Sequence, residues 1–268
     1  MAVLGSGSGG NAVVMDTGRT RILVDAGLSA KQLCLRLAAV GIDPASLDGI
    51  LLSHEHGDHV RGLDVFLRKH RVPIFATALT REVVEDKLRE KADWRVFQRG
   101  QEFALGELAV RAFAIPHDAV DPVGFVCTAF DVKVGVATDL GHVTGLVREE
   151  LKGVRGLFVE SNYDQELLDA DTKRPWSTKQ RIASRHGHLS NAQAAELVAE
   201  LATHGLRDVF LGHLSADCNC PLMAAAVVSA QSGKVRVQIA PQDIPTDWYT
   251  WPVDRPVKVG SGGQGMLF

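Results

Sequence analysis

Seven consecutive residues, Ser53-His54-Glu55-His56-Gly57-Asp58-His59, carry three imidazoles and two carboxylates. So many potential ligands in so short a run converge only if the backbone around them is rigid and turns sharply. The apolar run Gly49-Ile50-Leu51-Leu52 in front of the block reads as a buried strand, and a helical pattern starts near Val60. The block therefore belongs in a strand-to-helix loop, and its donor set reads as a metal site.

The rest of the chain has to hold that loop. With 268 residues, 46% of them hydrophobic, it can build one large core or two small ones. A net charge of −3 excludes a strongly basic nucleic-acid binder but leaves room for a local basic patch. Cys34, Cys127, Cys218 and Cys220 lack the spacing of a disulfide framework, and Cys218-x-Cys220 lacks the second pair of a zinc ribbon. They read as reduced thiols. The opening Met1–Ser8 has neither a basic n-region nor an apolar h-region, and no apolar run approaches a membrane span. A soluble, cytoplasmic protein without a membrane partner is expected.

Along the chain, Gly5-Ser6-Gly7-Ser8-Gly9-Gly10-Asn11 is a glycine-rich loop. A phosphate cradle is one reading, although the Walker lysine is missing. A hairpin over 12–25 ends at Asp25. Ser29 caps a helix that stops at Gly41, and Leu63, Phe66 and Leu67 form a helical face. Residues 72–76 form a strand, and Thr80 is expected to cap a helix over 81–91. Residues 94–137 read as successive strands, interrupted by Pro116-His117-Asp118; Thr138-Asp139-Leu140-Gly141-His142 follows the last of them. A helix over 144–151 and a strand ending at Glu160 come next. Residues 165–187 look less regular. No acidic residue occurs from Thr172 to Ala195, whereas Lys173, Arg174, Lys179, Arg181 and Arg185 are basic. Ser190-x-x-Gln193 is a capping box for a helix to about His204. His213 follows a buried strand, and a helix over 222–230 and a strand over 235–240 close the core. One domain over 1–255 and a flexible Pro- and Gly-rich tail over 256–268 are expected.

His117, Asp139 and His213 each follow an apolar strand, a placement that can bring them to the 54–59 block. A dinuclear hydrolytic centre needs six or more ligands and a bridging water made acidic by the metals. His188 rivals His213, since both lie in Gly-His-Leu-Ser. His213 is assigned to metal because a clear strand precedes it, whereas His188 opens a capped helix. His70, His142, His186 and His204 read as loop or surface histidines. The ordered set of Asp25, His54-x-His56-x-Asp58-His59, His117, Asp139 and His213 resembles the metallo-β-lactamase superfamily over nearly the whole chain. The resemblance implies an α/β fold, the αββα four-layer sandwich, with two divalent metal ions. His54, His56 and His117 would bind one ion and Asp58, His59 and His213 the other. Asp139 would bridge them, and Asp25 would orient ligands from behind. Zinc, manganese and iron all suit such donors.

Glu160-Ser161-Asn162-Tyr163-Asp164, Arg181-x-x-Ser184-x-x-Gly187-His188-Leu189-Ser190-Asn191, Pro116-His117-Asp118-Ala119 and the glycine-rich opening resemble the WalJ/YycJ branch. That branch implies a 5′-to-3′ DNA exonuclease using a bridging hydroxide. The residues agree on their own chemistry. Lys179, Arg181 and Arg185 can track a phosphate backbone, and Ser190 and Asn191 open a helix whose N–H groups can meet a phosphate. Trp176 could stack on a base. Asp58 would hold metal and handle a proton, and His188 would steady the phosphate or protonate the leaving oxygen. The plainer readings are a solvated basic face, a packed Trp176 and an ordinary cap at Ser190. An RNA-processing nuclease and a thioester or lactone hydrolase of the same fold are the alternatives. One departure is Asp217-Cys218-Asn219-Cys220-Pro221, where the branch has Asn-Asn before Pro, which would set a cysteine near metal. Finally, Gln264-Gly265-Met266-Leu267-Phe268 resembles the peptide by which bacterial DNA-processing proteins dock on the DNA sliding clamp, with Gln264, Leu267 and Phe268 as anchors on a flexible linker.

Overall fold

The computed structural model describes residues 1–251, so the expected boundary at 255 and the tail carrying Gln264, Leu267 and Phe268 lie outside the described residues. In chain order the elements are β1 (Ala2–Gly5), β2 (Ala12–Asp16), β3 (Arg21–Val24), α1 (Ala30–Ala39), β4 (Gly49–Leu51), α2 (Gly57–Val60), α3 (Leu63–Leu67), β5 (Ile74–Ala76), α4 (Ala78–Glu85) and β6 (Trp94–Val96). The second half holds β7 (Glu102–Leu105), β8 (Leu108–Ala114), β9 (Val123–Ala129), β10 (Val132–Ala137), α5 (Gly145–Leu151), β11 (Gly156–Glu160), α6 (Gln165–Ala170), α7 (Trp176–Ile182), α8 (Asn191–Ala202), β12 (Asp208–Gly212), α9 (Pro221–Gln231) and β13 (Arg236–Ile239).

Two mixed sheets follow from these strands. One has the order β1-β2-β3-β4-β5-β6, the other β13-β12-β11-β10-β9-β8-β7. The central strands β2–β4 and β9–β12 are largely apolar on both faces, which is what a sheet covered on both sides requires. Successive residues divide by parity between layers. Val13, Met15, Ile22, Val24, Phe158 and Phe210 point into the core between the sheets. Val14 and Leu23 face the layer of α1 and α3, and Leu157, Val159, Val209 and Leu211 face α5, α8 and α9. The result is the expected αββα sandwich.

The parallel strands carry the chemistry. Val24 of β3 pairs with Leu51 of β4, so Asp25 and the 53–59 block leave the first sheet at the same edge. Ala137 of β10 pairs with Val159 of β11, which pairs with Leu211 of β12, so Asp139, Glu160 and His213 emerge side by side from the second. The two edges are joined where the Val123 N–H donates to the Ser53 carbonyl at 3.0 Å.

Two expectations need correction. The helix over 78–85 is capped by Thr77, whose hydroxyl accepts from the Thr80 N–H, so Thr80 lies inside the first turn. The stretch 165–187 contains two helices. Asp164 caps α6 by accepting from the Glu166 and Leu167 N–H groups, and Pro175 precedes α7. Short helices with few apolar positions leave little periodicity to read.

Residues 246–251 form a strap at the opposite end of the strands. The Tyr249 N–H donates to Met1 O at 2.8 Å and the Thr246 N–H to Val3 O at 2.9 Å. Asp208, at the start of β12 and fully buried, accepts from Arg236, the Tyr249 hydroxyl and the Trp251 indole. Among the described residues no helix is long and apolar enough to cross a membrane.

Phe158 is 1% exposed, and a Cβ on Gly212 would lie 2.4 Å from its ring. Phe158→Ala should therefore lower stability by about 3–5 kcal/mol, read from urea unfolding.

Candidate metal centre

The block at 53–59 turns as its sequence suggests. His54 leaves β4, His56 is the extended N-cap of α2, and Asp58 and His59 lie on its single turn. Gly27 makes that turn possible, since a Cβ there would sit 1.6 Å from the Asp58 carbonyl oxygen. The glycine-rich loop acts as a buttress. The Asn11 carboxamide oxygen accepts from Ser6 Oγ and the Gly7 N–H. Ser6 Oγ in turn accepts from the His213 N–H at 2.6 Å. The Asn11 N–H donates to Asp58 O at 2.8 Å.

Two groups of donors result. In the first, the ligand atoms of His54, His56 and His117 lie within 4.8 Å of one another. His117 donates through Nδ1 to Gly187 O at 3.1 Å, which leaves Nε2 facing His56 Nδ1 at 3.3 Å. His54 Nε2 is buried and has no hydrogen-bond partner. Its Nδ1 lies 2.9 Å from Ser53 Oγ, whose proton goes to Asp25 Oδ2 at 2.8 Å, so Nδ1 donates and Nε2 keeps its lone pair. In the second group, Asp58, His59, Asp139 and His213 converge within the same 4.8 Å. His59 donates through Nδ1 to Asp25 Oδ2 at 2.8 Å and turns Nε2 toward Asp139 Oδ2 at 2.9 Å. His213 Nε2 lies 3.2 Å from Asp58 Oδ2. Asp139 stands between the groups, with Oδ1 3.8 Å from His117 Nε2 and 3.6 Å from His213 Nδ1.

Electrostatics separate the two groups. Burial pushes His54 well below the ordinary histidine value, and His117 is lowered by the same cause. Both are therefore neutral nitrogen donors. For His59 and His213 burial acts the same way but is outweighed. Asp139 and Asp25 hold His59 well above its ordinary value, and Asp139, Asp58 and Glu160 hold His213 up at about 10. Asp139 itself is kept well below the carboxylate range by His213 and His59 despite its burial. The second group thus demands positive charge, which a cation supplies as well as protons do. An orphaned buried nitrogen in one group and excess buried carboxylate in the other fit divalent cations.

The backbone is strained at the same place. Among the described residues the non-glycine positions with positive φ are Asp25 (62°), Phe130 (56°), Asp139 (56°) and His213 (51°). Three of the four are at the centre, each within two residues of a strand end. This conformation costs about 1–3 kcal/mol per residue and persists where neighbours enforce it.

Glu160 is a residue that sequence reasoning did not assign to the site. It is fully buried at the end of β11. Oε1 accepts from the Leu140 and Leu189 N–H groups, and Oε2 accepts from His188 Nδ1 at 3.0 Å and lies 3.4 Å from His213 Nδ1. Asp139, Glu160, His188 and His213 form a third convergent group. Two signals pointed to it, a carboxylate ending a fully apolar strand and its place at the head of the Glu160–Asp164 stretch, but neither gave it a role at the centre. His188 and His213 have ring centroids 5.0 Å apart, so the two Gly-His-Leu-Ser stretches meet at one carboxylate. Glu160 raises His188 above its ordinary value against the opposing effect of burial.

The expected phosphate contacts divide. Asn191 is 1% exposed, and its carboxamide is spent on Ser161 and Asn219. The Ser190 hydroxyl accepts from the Gln193 N–H and the Asn191 N–H donates to Tyr163 O, so two of the N–H groups at that helix start are already bonded. Lys179 is buried with Nζ on Asp169 O at 2.9 Å. These three are internal groups and not open anion donors. Lys173 and Arg174 are paired with Asp217. Arg181 and Arg185 remain exposed beside the centre, and Trp176 is 66% exposed and not packed. Neither Cys218 nor Cys220 joins a donor group among the described residues; Cys218 packs with Tyr163 and Leu168.

Metal-free protein should show a characteristic pH response. The raised values of His59 and His213 stabilise the fold fully below the unfolded histidine value of about 6.5. That contribution is lost as pH climbs through about 10 for His213. The depressed His54 acts with the opposite sign and costs stability as pH falls below about 6.5. Melting temperatures of chelator-treated protein should fall as pH rises from about 6.5 toward 10. Loading with zinc or manganese should flatten that slope; equal slopes with and without metal would contradict this charge assignment.

A profile described as the beta-lactamase superfamily domain matches residues 20–214. Exodeoxyribonuclease WalJ of Streptococcus pneumoniae is 34% identical over 227 residues, covering 83% of this chain and 84% of that protein. Exodeoxyribonuclease YycJ of Bacillus anthracis is 35% identical over 232 residues, covering 85% and 87%. In three dimensions the metallo-β-lactamase fold protein YhfI of Bacillus subtilis superimposes with a TM-score of 0.70 at 17% identity, over 92% of this chain and 98% of YhfI. Sequence, sheet order and convergent donors lead to one assignment: the chain belongs to the metallo-β-lactamase-fold superfamily, in the branch of the exodeoxyribonucleases WalJ and YycJ.

Proposed function

We propose that the protein is a cytoplasmic, metal-dependent exodeoxyribonuclease that hydrolyses phosphodiester bonds from the 5′ end of DNA. The observation that carries the reading is the meeting of the two donor groups at Asp139. The similarity to WalJ and YycJ over most of both chains supports nucleic acid, and DNA in particular, as substrate. The 5′-to-3′ direction rests on the branch resemblance.

His54, His56 and His117 would hold one divalent ion and Asp58, His59 and His213 a second, with Asp139 shared. Ions at these positions supply Lewis-acid stabilisation to the phosphodiester oxygens and make water acidic enough to attack at neutral pH. Asp25 keeps the His54 and His59 donor nitrogens turned inward through its bonds to Ser53 and His59. His188 donates its Nδ1 proton to Glu160 and is 21% exposed. Its Nε2 proton can therefore pass to the leaving 3′-oxygen, and Glu160 stabilises the imidazolium before transfer.

Metal-loaded protein should release mononucleotides from one end of duplex DNA labelled at 5′ or 3′ termini, and much less from matched RNA. Asp58→Ala should abolish release. His188→Ala should lower kcat by about 10²–10⁴-fold with metal content unchanged, the range of a lost general acid. Thioester hydrolysis without cleavage of any strand would overturn the reading.

A further inference from the structure

Residues 181–187 lie directly on the loops that carry the donor residues. His117 Nδ1 donates to Gly187 O, and the Asp118 N–H donates to His186 O at 3.1 Å. His142 Nδ1 donates to Arg185 O at 2.9 Å, and Arg185 Nη2 returns to His142 Nε2 at 3.1 Å. Contact is so close that a Cβ on Gly141 would lie 2.3 Å from Arg185 O. Two arginines are thereby fixed at the rim of the centre by backbone contacts.

Asp118 connects one of them to the first donor group. Its Oδ2 accepts from Arg181 Nε at 2.6 Å, while Oδ1 lies 3.3 Å from His117 Nε2, the nitrogen that faces His56. One carboxylate therefore spans from the imidazole cluster to a guanidinium. A phosphate group presents the same pair of anionic oxygens to arginine and carries the charge that the guanidinium pairs with. The Arg181 side chain is 69% exposed and that of Asp118 31%, so the pair is solvent-screened and weakly held.

Building on the nuclease reading, we propose that Arg181 and Arg185 form the subsite for the phosphate next to the scissile one. Asp118 occupies that subsite until a nucleic-acid strand displaces it. Of the five basic side chains between Thr172 and Ala195 these two stand over the donor loops, whereas Lys173 and Arg174 pair with Asp217 and Lys179 is turned onto the Asp169 carbonyl.

The test is steady-state cleavage of a labelled duplex by metal-loaded protein at several salt concentrations. Arg181→Ala and Arg185→Ala should each raise KM about tenfold with kcat within about twofold, and should reduce the slope of log affinity against log salt by about one. Arg181→Lys should recover part of the loss, because charge returns without the planar fork. Asp118→Asn should lower KM with metal content unchanged. Arg95→Ala, an exposed arginine on edge strand β6, is the control and should change nothing. Unaltered KM and salt slope in Arg181→Ala would overturn the subsite. Loss of metal in Asp118→Asn would overturn the competitor role and make Asp118 a support of the centre. Wild-type protein that cleaves neither DNA nor RNA would instead sink the nuclease reading itself, a result separable from both.

Discussion

One buried carboxylate sets the geometry of the whole centre. Asp25 takes the Ser53 N–H on one oxygen and the Ser53 hydroxyl and His59 Nδ1–H on the other. Through the hydroxyl it fixes His54 in the first group, and directly it fixes His59 in the second. A histidine nitrogen is a useful ligand only when its partner nitrogen is held, and both groups are held from the same point. Asp25 can stand there because β3 and β4 are parallel and end in register, and because it accepts a left-handed backbone.

The second sheet answers with the same device. β10, β11 and β12 end together, and Asp139, Glu160 and His213 occupy their tips. Parallel strands buried on both faces leave polar groups nowhere to go but the ends, so a row of chemistry at one edge follows from the layering. Positive φ at Asp139 and His213 turns the chain over the edge of the sheet, and the Glu160 carboxylate ties the turns to the loop before α8. Strain and buried charge are concentrated at this rim, where a cation would offset the charge.

Much of this was legible in the sequence, for physical reasons. The 53–59 block is local, and short-range spacing survives folding unchanged. Strand ends at His117, Asp139 and His213 could be found because apolar runs stop abruptly there. Glu160 was harder, since its importance depends on which strands are neighbours, and sequence does not print register. Sequence also set His188 against His213 without showing that both rings reach one carboxylate. Counting charge along residues 172–195 misjudged Lys179, because its partner is a backbone carbonyl, and Lys173 and Arg174, whose carboxylates come from flanking or distant positions. Asn191 looked available at a helix start, yet its bonds run to Ser161 and to Asn219.

The strap has a bearing on how the chain comes to its final form. Tyr249 exchanges backbone hydrogen bonds with Met1, and the Ser6 hydroxyl holds the backbone of His213. The first strand is thus secured by residues far along the chain, Thr246 and Tyr249, and the second donor group draws on residues from Asp58 to His213. Pairings so distant in sequence close slowly, because loop entropy is lost before the contacts compensate. A partly synthesised chain would hold the 54–59 histidines without the carboxylates that complete their surroundings. A complete donor set is therefore a property of the finished fold, and it comes late in the life of the nascent chain.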